Sequence, residues 1–431
     1  MTTAVGRGTG LLRGLLARPL TSYHLLLAST GLLLVIGLTM VFSATSVDSY
    51  AESGNAFARI AEQATYALVG LVAFWACQRL PVRTFRALGL PLLLLAFALQ
   101  GLLDGVSLLY RMEVIGQPQL GPLTANLRWL EVGGLSLQPS EFAKLALVVW
   151  AADVLARKGA LAGWWRELAR PLFPVAGVLL LMVGLQDLGT MLCMLILFTA
   201  ILWAAGVRLR VFGGMALAVA AGLVFLVAAQ RSYRMERLTS FLNPDCDVLD
   251  ECYQAVQGRG AVADGGWFGV GLGNARYKWG WLPEGHNDFI FAVIGEELGV
   301  VGSLVVLALF GVFVYTGLRI ARRVTDRFRR LAATGVTAWI AGQTVINVGG
   351  VIGLLPITGL PLPFISAGGS ALVVTLAAVG MLASFARAEP EAARALRARP
   401  PAKWVQLLWA PLPPVPRKKK AAPVEEGERV R

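Results

Sequence analysis

Apolar runs of about twenty residues recur along the chain and limit what it can fold into. A run of this length is what a helix needs to cross the hydrocarbon core of a bilayer. The chain of 431 residues is 56% hydrophobic and 15% charged, with a mean hydropathy of +0.64. A soluble domain averages about a quarter charged residues. These features predict an all-α polytopic membrane protein.

We predict ten transmembrane helices, and the stretch 171–205 contributes two of them because Gln186 and Asp187 interrupt it. The first run is too long for a typical signal-peptide core and further spans follow it, so we expect the first helix to be retained. The predicted spans are 23–43, 62–78, 87–103, 140–155, 171–186, 188–205, 211–229, 287–317, 331–355 and 366–386.

The distribution of basic residues predicts that both termini are cytoplasmic. With the N-terminus inside, the inside segments hold 29 of the 39 Lys and Arg residues. The positive-inside rule therefore explains the net charge of +13, and no nucleic-acid partner is expected. Two long loops, 104–139 and 230–286, lie outside, where we expect the chemistry.

The chain divides into a membrane domain, 23–386, and two flanking basic segments. Residues 1–22 form a cytoplasmic N-terminus. The tail 387–431 is rich in Ala, Pro and Arg, a composition typical of disorder. Its apolar side chains beside basic residues are compatible with binding to anionic lipid or with a solvated tail. These side chains are Trp404, Leu407, Leu408 and Trp409.

The stretch LPEGHNDFIFAVIGEELG, residues 282–299, places Asp288 where the outer loop enters a span. Such a residue can be a helix cap, or a base that accepts a proton from a hydroxyl. Arg259, Arg276 and Lys278 in the same loop are candidate cations for a phosphate. Glu296 and Glu297 lie deeper and point about 100° apart on a helix, and we expect structural roles for them.

The stretch RWLEVGGLSLQPSEFAKLAL, from Arg128, runs from the first outer loop into the fourth span. Arg128 can hold a phosphate by two parallel hydrogen bonds, whereas Trp129 is also typical of the membrane interface. Glu141 and Lys144 are three residues apart on one helix face and are predicted to form a buried ion pair.

The stretch GLLPITGLPLPFISAGGS, residues 353–370, breaks the chain between the last two spans. Irregular backbone at this depth is tolerated where it is buried in protein or lines a wet cavity. The small residues permit either a tightly packed turn or a cavity wall that contacts substrate. They are Ser366, Gly368, Gly369 and Ser370.

Cys246 and Cys252 lie in the second outer loop, where an oxidising exterior permits a disulfide; two free thiols are the alternative. Their spacing fits no standard zinc site. The glycines from Gly265 to Gly273 do not form a dinucleotide-binding fingerprint.

These motifs, with YQAVQGRGAVADGGWFGVGLGN from Tyr253, QDLGT at 186–190 and VFSAT at 41–45, resemble the SEDS proteins of shape, elongation, division and sporulation. The resemblance covers about residues 23–386 and is closest to the division members. It implies a ten-span peptidoglycan glycosyltransferase of the bacterial cytoplasmic membrane that polymerises lipid II on the outer face, at the division septum.

The resemblance also implies roles and partners. Asp288 matches the essential acid of the family, and Arg128, Trp129 and Glu141 match further family positions. The expected partners are lipid II, a class B penicillin-binding protein, other division proteins and membrane lipids. Undecaprenyl diphosphate would be the leaving group of an inverting transfer. A divalent cation, Mg²⁺ or Mn²⁺, stays open as an aid to the diphosphate, since no ligand cluster in the sequence requires a metal.

Two alternatives belong to other classes. A lipid II flippase would need polar residues through the bilayer midplane, whereas the acids and cations here gather at the outer side. A non-catalytic scaffold could recruit and activate a transpeptidase. In that case Asp288 and Arg128 would matter for stability or docking only.

Overall fold

The computed structural model describes seven stretches of the chain: 18–114, 117–120, 123–126, 128–132, 135–159, 170–229 and 252–413. Ten helices of at least 15 residues in these stretches account for the ten predicted spans. They are α1 Thr21–Ser53, α2 Ala58–Arg79, α3 Val82–Arg111, α4 Pro139–Lys158, α5 Leu172–Gln186, α6 Leu188–Ala205, α7 Leu209–Ala229, α9 Ile290–Arg323, α10 Arg327–Val351 and α11 Gly369–Arg387.

Hydropathy supports the membrane assignment of these helices. Seven of them are long and apolar enough to cross a bilayer. Two more are shorter apolar stretches, namely α5 and the part Leu209–Gly222 of α7. The tenth, α4, carries buried charges. The fold class of an all-α polytopic membrane protein is thereby confirmed.

Small residues let the helices pack closely. α2 lies along α11, α3 along α4, α6 along α10 and α1 along α9. A Cβ on Gly380 of α11 would overlap the backbone carbonyl of Phe74 in α2. Glycine at such a crossing lets two backbones approach, which is how membrane helices gain packing energy in lipid.

The turn between α5 and α6 is as tight as Gln186 and Asp187 suggested. α5 ends at Gln186, and Asp187 caps α6 by accepting a hydrogen bond from the backbone N–H of Thr190 at 3.0 Å. The Thr190 hydroxyl also donates to Asp187, at 2.8 Å. This turn fixes a buried carboxylate at the outer end of two short spans.

Helix α9 is interrupted at Gly299, where φ is +68° and ψ is −167°. The interruption removes helical partners from backbone groups on both sides, and the outer-loop segment 265–273 supplies replacements, as buried irregular backbone requires. The four hydrogen bonds are Val270 N to Glu296 O at 2.9 Å, Gly271 N to Glu297 O at 3.1 Å, Val300 N to Gly266 O at 2.9 Å and Val301 N to Trp267 O at 3.2 Å.

The first outer loop contains a small sheet, which the sequence did not predict. Its strands are β1 Gln119–Leu120, β2 Leu123–Asn126, β3 Trp129–Val132 and β4 Leu135–Leu137. They form an antiparallel meander in the order β1-β2-β3-β4, with Asn126 opposite Trp129. Trp129 begins β3, and Arg128 occupies the turn directly before it.

The described part of the second outer loop, 252–286, contains a short helix, α8 Tyr253–Asp264. Cys252 is disulfide-bonded, but Cys246 lies outside the described residues, so the pairing of the two stays a prediction. Cys77 and Cys193 are free.

The C-terminal tail differs from the predicted disorder over its described part. Helices α12 Pro390–Ala398 and α13 Lys403–Leu408 follow α11. Ala410 is buried beyond them. Proline begins α12 at its first turn, where its missing N–H costs nothing, and packing against the spans overrides the tail's composition. Residues 1–17 and 414–431 lie outside the described chain.

Candidate functional site

Asp288 and Arg128 meet at Gly359, on the outer side of the helix bundle. Gly359 has φ of +72°, and a Cβ placed there would lie 2.8 Å from Nη1 of Arg128 and 3.1 Å from Oδ2 of Asp288. The Arg128 guanidinium donates to the Gly359 carbonyl at 2.7 Å. Three loops far apart in sequence thus bring a carboxylate and a cation to one point.

Arg128 also faces Asp187. Nη1 of Arg128 lies 3.5 Å from Oδ2 of Asp187, whose side chain is 3% exposed, while the Arg128 side chain is 26% exposed. The buried acid orients the guanidinium, because Asp187 is itself fixed as the cap of α6. A partly exposed, oriented guanidinium is suited to bind a phosphate.

Asp288 lies one residue before the N-cap of α9, which is Phe289. Its backbone carbonyl accepts a hydrogen bond from Nδ2 of Asn347 at 2.7 Å, and the same amide nitrogen donates to the carbonyl of Leu360 at 2.7 Å. Asn347 therefore joins the loop that carries Asp288 to residues 353–368, which connect α10 to α11 and are called the 353–368 segment below. Asn347 was not among the predicted site residues, although a polar amide near the end of an apolar span is a signal of function or fixation.

The Ser366 and Ser370 hydroxyls form hydrogen bonds with backbone groups of the protein. This differs from the predicted contact of these two serines with substrate. The Ser366 hydroxyl donates to the Asn287 carbonyl and accepts from the N–H of Leu362, both at 2.7 Å. The Ser370 hydroxyl accepts from the N–H of Gln138 at 3.0 Å. Both serines are buried. Ser366 thus holds the residue before Asp288, and Ser370 holds the start of α4.

A polar cavity of about 340 Å³ lies next to this centre. Three of its lining residues, namely Trp129, Gly368 and Gly369, are predicted site residues, whereas its polar lining residues were not predicted. The further lining residues include Thr45, Arg59, Glu62, Gln63, Tyr66, Ser136 and His286. Aromatic rings beside hydrogen-bonding groups suit a sugar or another polar ligand.

His286 connects the cavity to the catalytic candidate, since it stands two residues before Asp288. Burial lowers the pKa of its imidazole below the ordinary value; Glu284 opposes this effect and Arg59 adds to it. The lowered pKa favours the neutral ring, which can donate one hydrogen bond and accept another.

Glu141 and Lys144 form a fully buried ion pair, with Nζ 2.6 Å from Oε1. Lys144 also donates to the amide oxygen of Gln343 at 2.8 Å and stands 4.8 Å from the Trp339 ring centroid. Gln343 in turn donates to the Pro361 carbonyl at 2.8 Å. The pair thus acts through Gln343 on the 353–368 segment that carries Gly359.

Glu296 and Glu297 fix the second outer loop. Glu297 receives hydrogen bonds from Lys278 at 2.8 Å and from the Ser43 hydroxyl at 2.7 Å. Glu296 accepts from the backbone N–H of Arg276. Lys278, predicted to bind substrate, is therefore buried in an ion pair with Glu297 instead.

Two other predicted cations have different positions. Arg259 is exposed on α8, with its side chain against the turn at Gly353. The Arg276 side chain is exposed on the loop beyond α8. Among the predicted cations, Arg128 is the one that the contacts around Gly359 bring to Asp288.

Residues 23–391 match the FtsW/RodA/SpoVE family, described as cell cycle proteins. The chain belongs to this family. The SEDS resemblance of the motifs is thereby confirmed.

Named relatives cover most of the chain. It is 45% identical over 401 residues to the probable peptidoglycan glycosyltransferase FtsW of Mycobacterium tuberculosis, covering 92% of this chain and 74% of that one. It is 36% identical over 365 residues to stage V sporulation protein E of Bacillus subtilis, covering 84% and 96%.

Solved structures share the fold. A chain from a structure described as the structural coordination of polymerization and crosslinking by a peptidoglycan synthase complex matches with a TM-score of 0.63 at 26% identity, over 86% of this chain and 98% of that one. The crystal structure of the rod shape determining protein RodA of Thermus thermophilus matches with a TM-score of 0.56 at 23% identity, over 84% and 96%.

Proposed function

We propose that this protein is a peptidoglycan glycosyltransferase that polymerises lipid II on the outer face of the cytoplasmic membrane. The observation that carries the proposal is the meeting of Asp288 and Arg128 at Gly359, in a chain 45% identical to a protein named as such an enzyme. A carboxylate beside a cation is what glycosyl transfer from a diphosphate requires.

Asp288 is the proposed general base. A sugar hydroxyl of the acceptor attacks the anomeric carbon of the donor, and its proton passes to the Asp288 carboxylate. The bond from the anomeric carbon to the phosphate oxygen breaks, and undecaprenyl diphosphate leaves with the electron pair. One base suffices for this inversion, unlike glycosidases, which use two carboxyl groups. General-base catalysis is typically worth ~10²–10⁴-fold.

Arg128 is the proposed partner of the leaving diphosphate. Its guanidinium is oriented by Asp187 and by the Gly359 carbonyl and keeps 26% of the side chain exposed. A preorganised cation stabilises charge that develops in the transition state. Among the described residues, no cluster of three His, Cys, Asp or Glu side chains is arranged to hold a metal. Whether Mg²⁺ or Mn²⁺ assists through fewer protein ligands stays a prediction.

An apolar cavity of about 490 Å³ between α5, α6 and α7 is the candidate site for the polyprenyl chain. Met191 lines this cavity and stands one helical turn below Asp187, which faces Arg128. A lipid diphosphate held at Arg128 could therefore extend its chain into apolar surroundings. The polar cavity beside Trp129 would take sugar units.

The partner in this proposal is a class B penicillin-binding protein that cross-links the strands at the septum. A structural relative belongs to a complex described as coordinating polymerisation and crosslinking. Other division proteins and membrane lipids complete the expected surroundings.

The test is polymerisation of fluorescent lipid II by the purified protein in complex with its transpeptidase, whose active-site serine is replaced to prevent crosslinking. We expect a ladder of glycan strands on a gel that muramidase digests. A vesicle assay with lipid II and a membrane-impermeant reagent runs in parallel to measure translocation.

The three functions give different results in these assays. Translocation without polymer would replace the proposal by a flippase. Neither translocation nor polymer, with stimulation of the intact transpeptidase, would replace it by a scaffold. Because complex formation is checked by co-elution, a silent assay cannot be assigned to a missing partner.

A further inference from the structure

The C-terminal segment 388–413 is fastened to the cytoplasmic ends of the spans. The Arg387 guanidinium donates to the carbonyls of Ala410 at 3.2 Å and Pro411 at 3.1 Å. The Trp409 indole donates to the hydroxyl of Tyr23 at the start of α1. These contacts fix where the exposed side chains of the segment lie.

Helix α13 lies level with the last turn of α2. The indole of Trp75 donates to the Leu408 carbonyl at 2.6 Å, and the guanidinium of Arg79, the last residue of α2, donates to the Leu407 carbonyl. Since α2 spans the membrane and ends at Arg79 on the cytoplasmic side, α13 is placed at the boundary between bilayer and cytoplasm.

The outward side of α13 is apolar. Trp404 is 67% exposed, Leu407 72% and Leu408 61%. On α2, Leu68, Val72 and Trp75 form an exposed stripe at the spacing of one helix face. Exposed apolar residues on a spanning helix face acyl chains. The stripe reaches α13 at Trp75, so the apolar side of α13 continues a lipid-facing surface.

The same segment is positively charged. Residues 392–413 carry four basic side chains and no acidic one, and all four basic residues are exposed. They are Arg394, Arg397, Arg399 and Lys403. Lys403 is the first residue of α13, so a cation stands directly beside the apolar side chains. Basic residues at this boundary attract the anionic lipids of the cytoplasmic leaflet.

We propose that residues 394–409 form a binding surface for anionic phospholipid of the cytoplasmic leaflet. Trp404, Leu407 and Leu408 enter the boundary between head groups and acyl chains, as on interfacial helices. Arg399 and Lys403 contact the lipid phosphates. This surface lies on the face opposite Asp288 and does not depend on the proposed glycosyltransferase activity.

The test is hydrogen–deuterium exchange of the full chain in nanodiscs of phosphatidylcholine alone or with phosphatidylglycerol. We expect amides of 399–409 to exchange several-fold more slowly with phosphatidylglycerol. Lys403→Gln should remove most of this difference. Arg210→Gln, which removes another exposed cytoplasmic cation at the start of α7, should leave it unchanged. Exchange in α11 verifies folding of each variant.

A second variant, Leu407→Ser, tests the apolar half of the surface and should accelerate exchange in both lipids. Equal exchange of 399–409 in the two lipids would overturn the proposal. Equal protection in both lipids that Leu407→Ser abolishes would show an apolar anchor without anionic recognition, which also contradicts it.

Discussion

The guanidinium of Arg128 and the carboxylate of Asp288 lie 2.8 Å and 3.1 Å from the position that a Cβ on Gly359 would take, although the two residues lie on separate outer loops. Hydrogen bonds from Asn347 and Ser366 hold the loop that carries Asp288 against the 353–368 segment. The geometry of the candidate site therefore depends on this segment as much as on the two charged residues.

The first prediction concerns Gly359→Ala. The new Cβ would crowd Arg128 and Asp288, so we expect polymerisation to fall at least tenfold. The positive φ adds a backbone penalty of roughly 1–2 kcal/mol. Lipid II polymerisation and the melting temperature measure the two effects separately.

Gly54→Ala is the matched control. Gly54 has φ of +69°, and apart from Gly54 and its two chain neighbours no described residue approaches within 4 Å of the position its Cβ would take. We expect a similar loss of stability with activity retained. Equal loss of activity in both variants would show that backbone strain, rather than crowding of Arg128 and Asp288, explains the effect.

The second prediction concerns Asn347→Ala. Its amide bridges Asp288 and Leu360, and leaving buried carbonyls without donors costs about 1–3 kcal/mol each. We expect a lower kcat with little change in KM, because the substitution would displace Asp288, the proposed base of the chemical step. Steady-state kinetics on lipid II check this.

Thr344→Val serves as the control for Asn347→Ala. Thr344 is also buried on α10, but its hydroxyl donates to the Ile340 carbonyl of the same helix, at 2.8 Å. Its kcat should stay near wild type. A rise in KM alone for Asn347→Ala would assign the residue to substrate binding.

The third prediction is a loss of stability in mild acid through His286. Its pKa in the folded protein is lowered by burial, whereas the unfolded chain binds a proton near pH 6.5. Stability is therefore fully present above about pH 6.5 and is lost as the pH falls toward the folded pKa. Melting temperatures between pH 5 and 8 measure this.

His286→Gln should flatten that profile. His24→Gln should not, because His24, the other histidine of the chain, is exposed. Parallel profiles for wild type and His286→Gln would refute the assignment.

The fourth prediction separates structure from substrate binding at Lys278. Lys278→Met leaves Glu297 buried without its partner, which typically costs about 3–5 kcal/mol. The double variant Lys278→Met/Glu297→Leu should regain most of this stability, because a buried pair can often be replaced by apolar residues. It should also regain activity.

Glu391→Gln is the control for the cost of losing an ion pair. The pair of Glu391 with Arg323 is exposed, so its loss should lower the free energy of unfolding by less than about 1 kcal/mol. If the double variant melts like wild type but polymerises no better than Lys278→Met, Lys278 contacts substrate after all.

The helices were predictable because hydropathy and length report directly on membrane spans, and the turn at Asp187 was visible as two polar residues in an apolar run. The pairing of Glu141 with Lys144 followed from their helical spacing. The spacing of Arg128 and Asp288 gave no indication that they meet at Gly359, because tertiary packing of three loops decides it.

Errors arose where context overrides composition. The tail is rich in Pro and Ala, yet Arg387 and Tyr23 bind it to the spans. Lys278 looked like a substrate cation because its loop is polar, but Glu297 from the broken helix α9 pairs with it. His286 and Asn347 belong to no repeated pattern, although a lone amide in an apolar span, as at Asn347, is itself a signal of function.

The most direct test of the claim that Asp288 is the base compares two variants in the purified transpeptidase complex supplied with lipid II. One is Asp288→Asn, and the other is Asp264→Asn, which replaces an exposed acid of the same outer loop. We predict that Asp288→Asn loses polymerisation by about 10²-fold or more while its melting temperature and complex formation stay near those of wild type, and that Asp264→Asn remains active. Substantial polymer from a well-folded Asp288→Asn variant would contradict the assignment of Asp288 as the base.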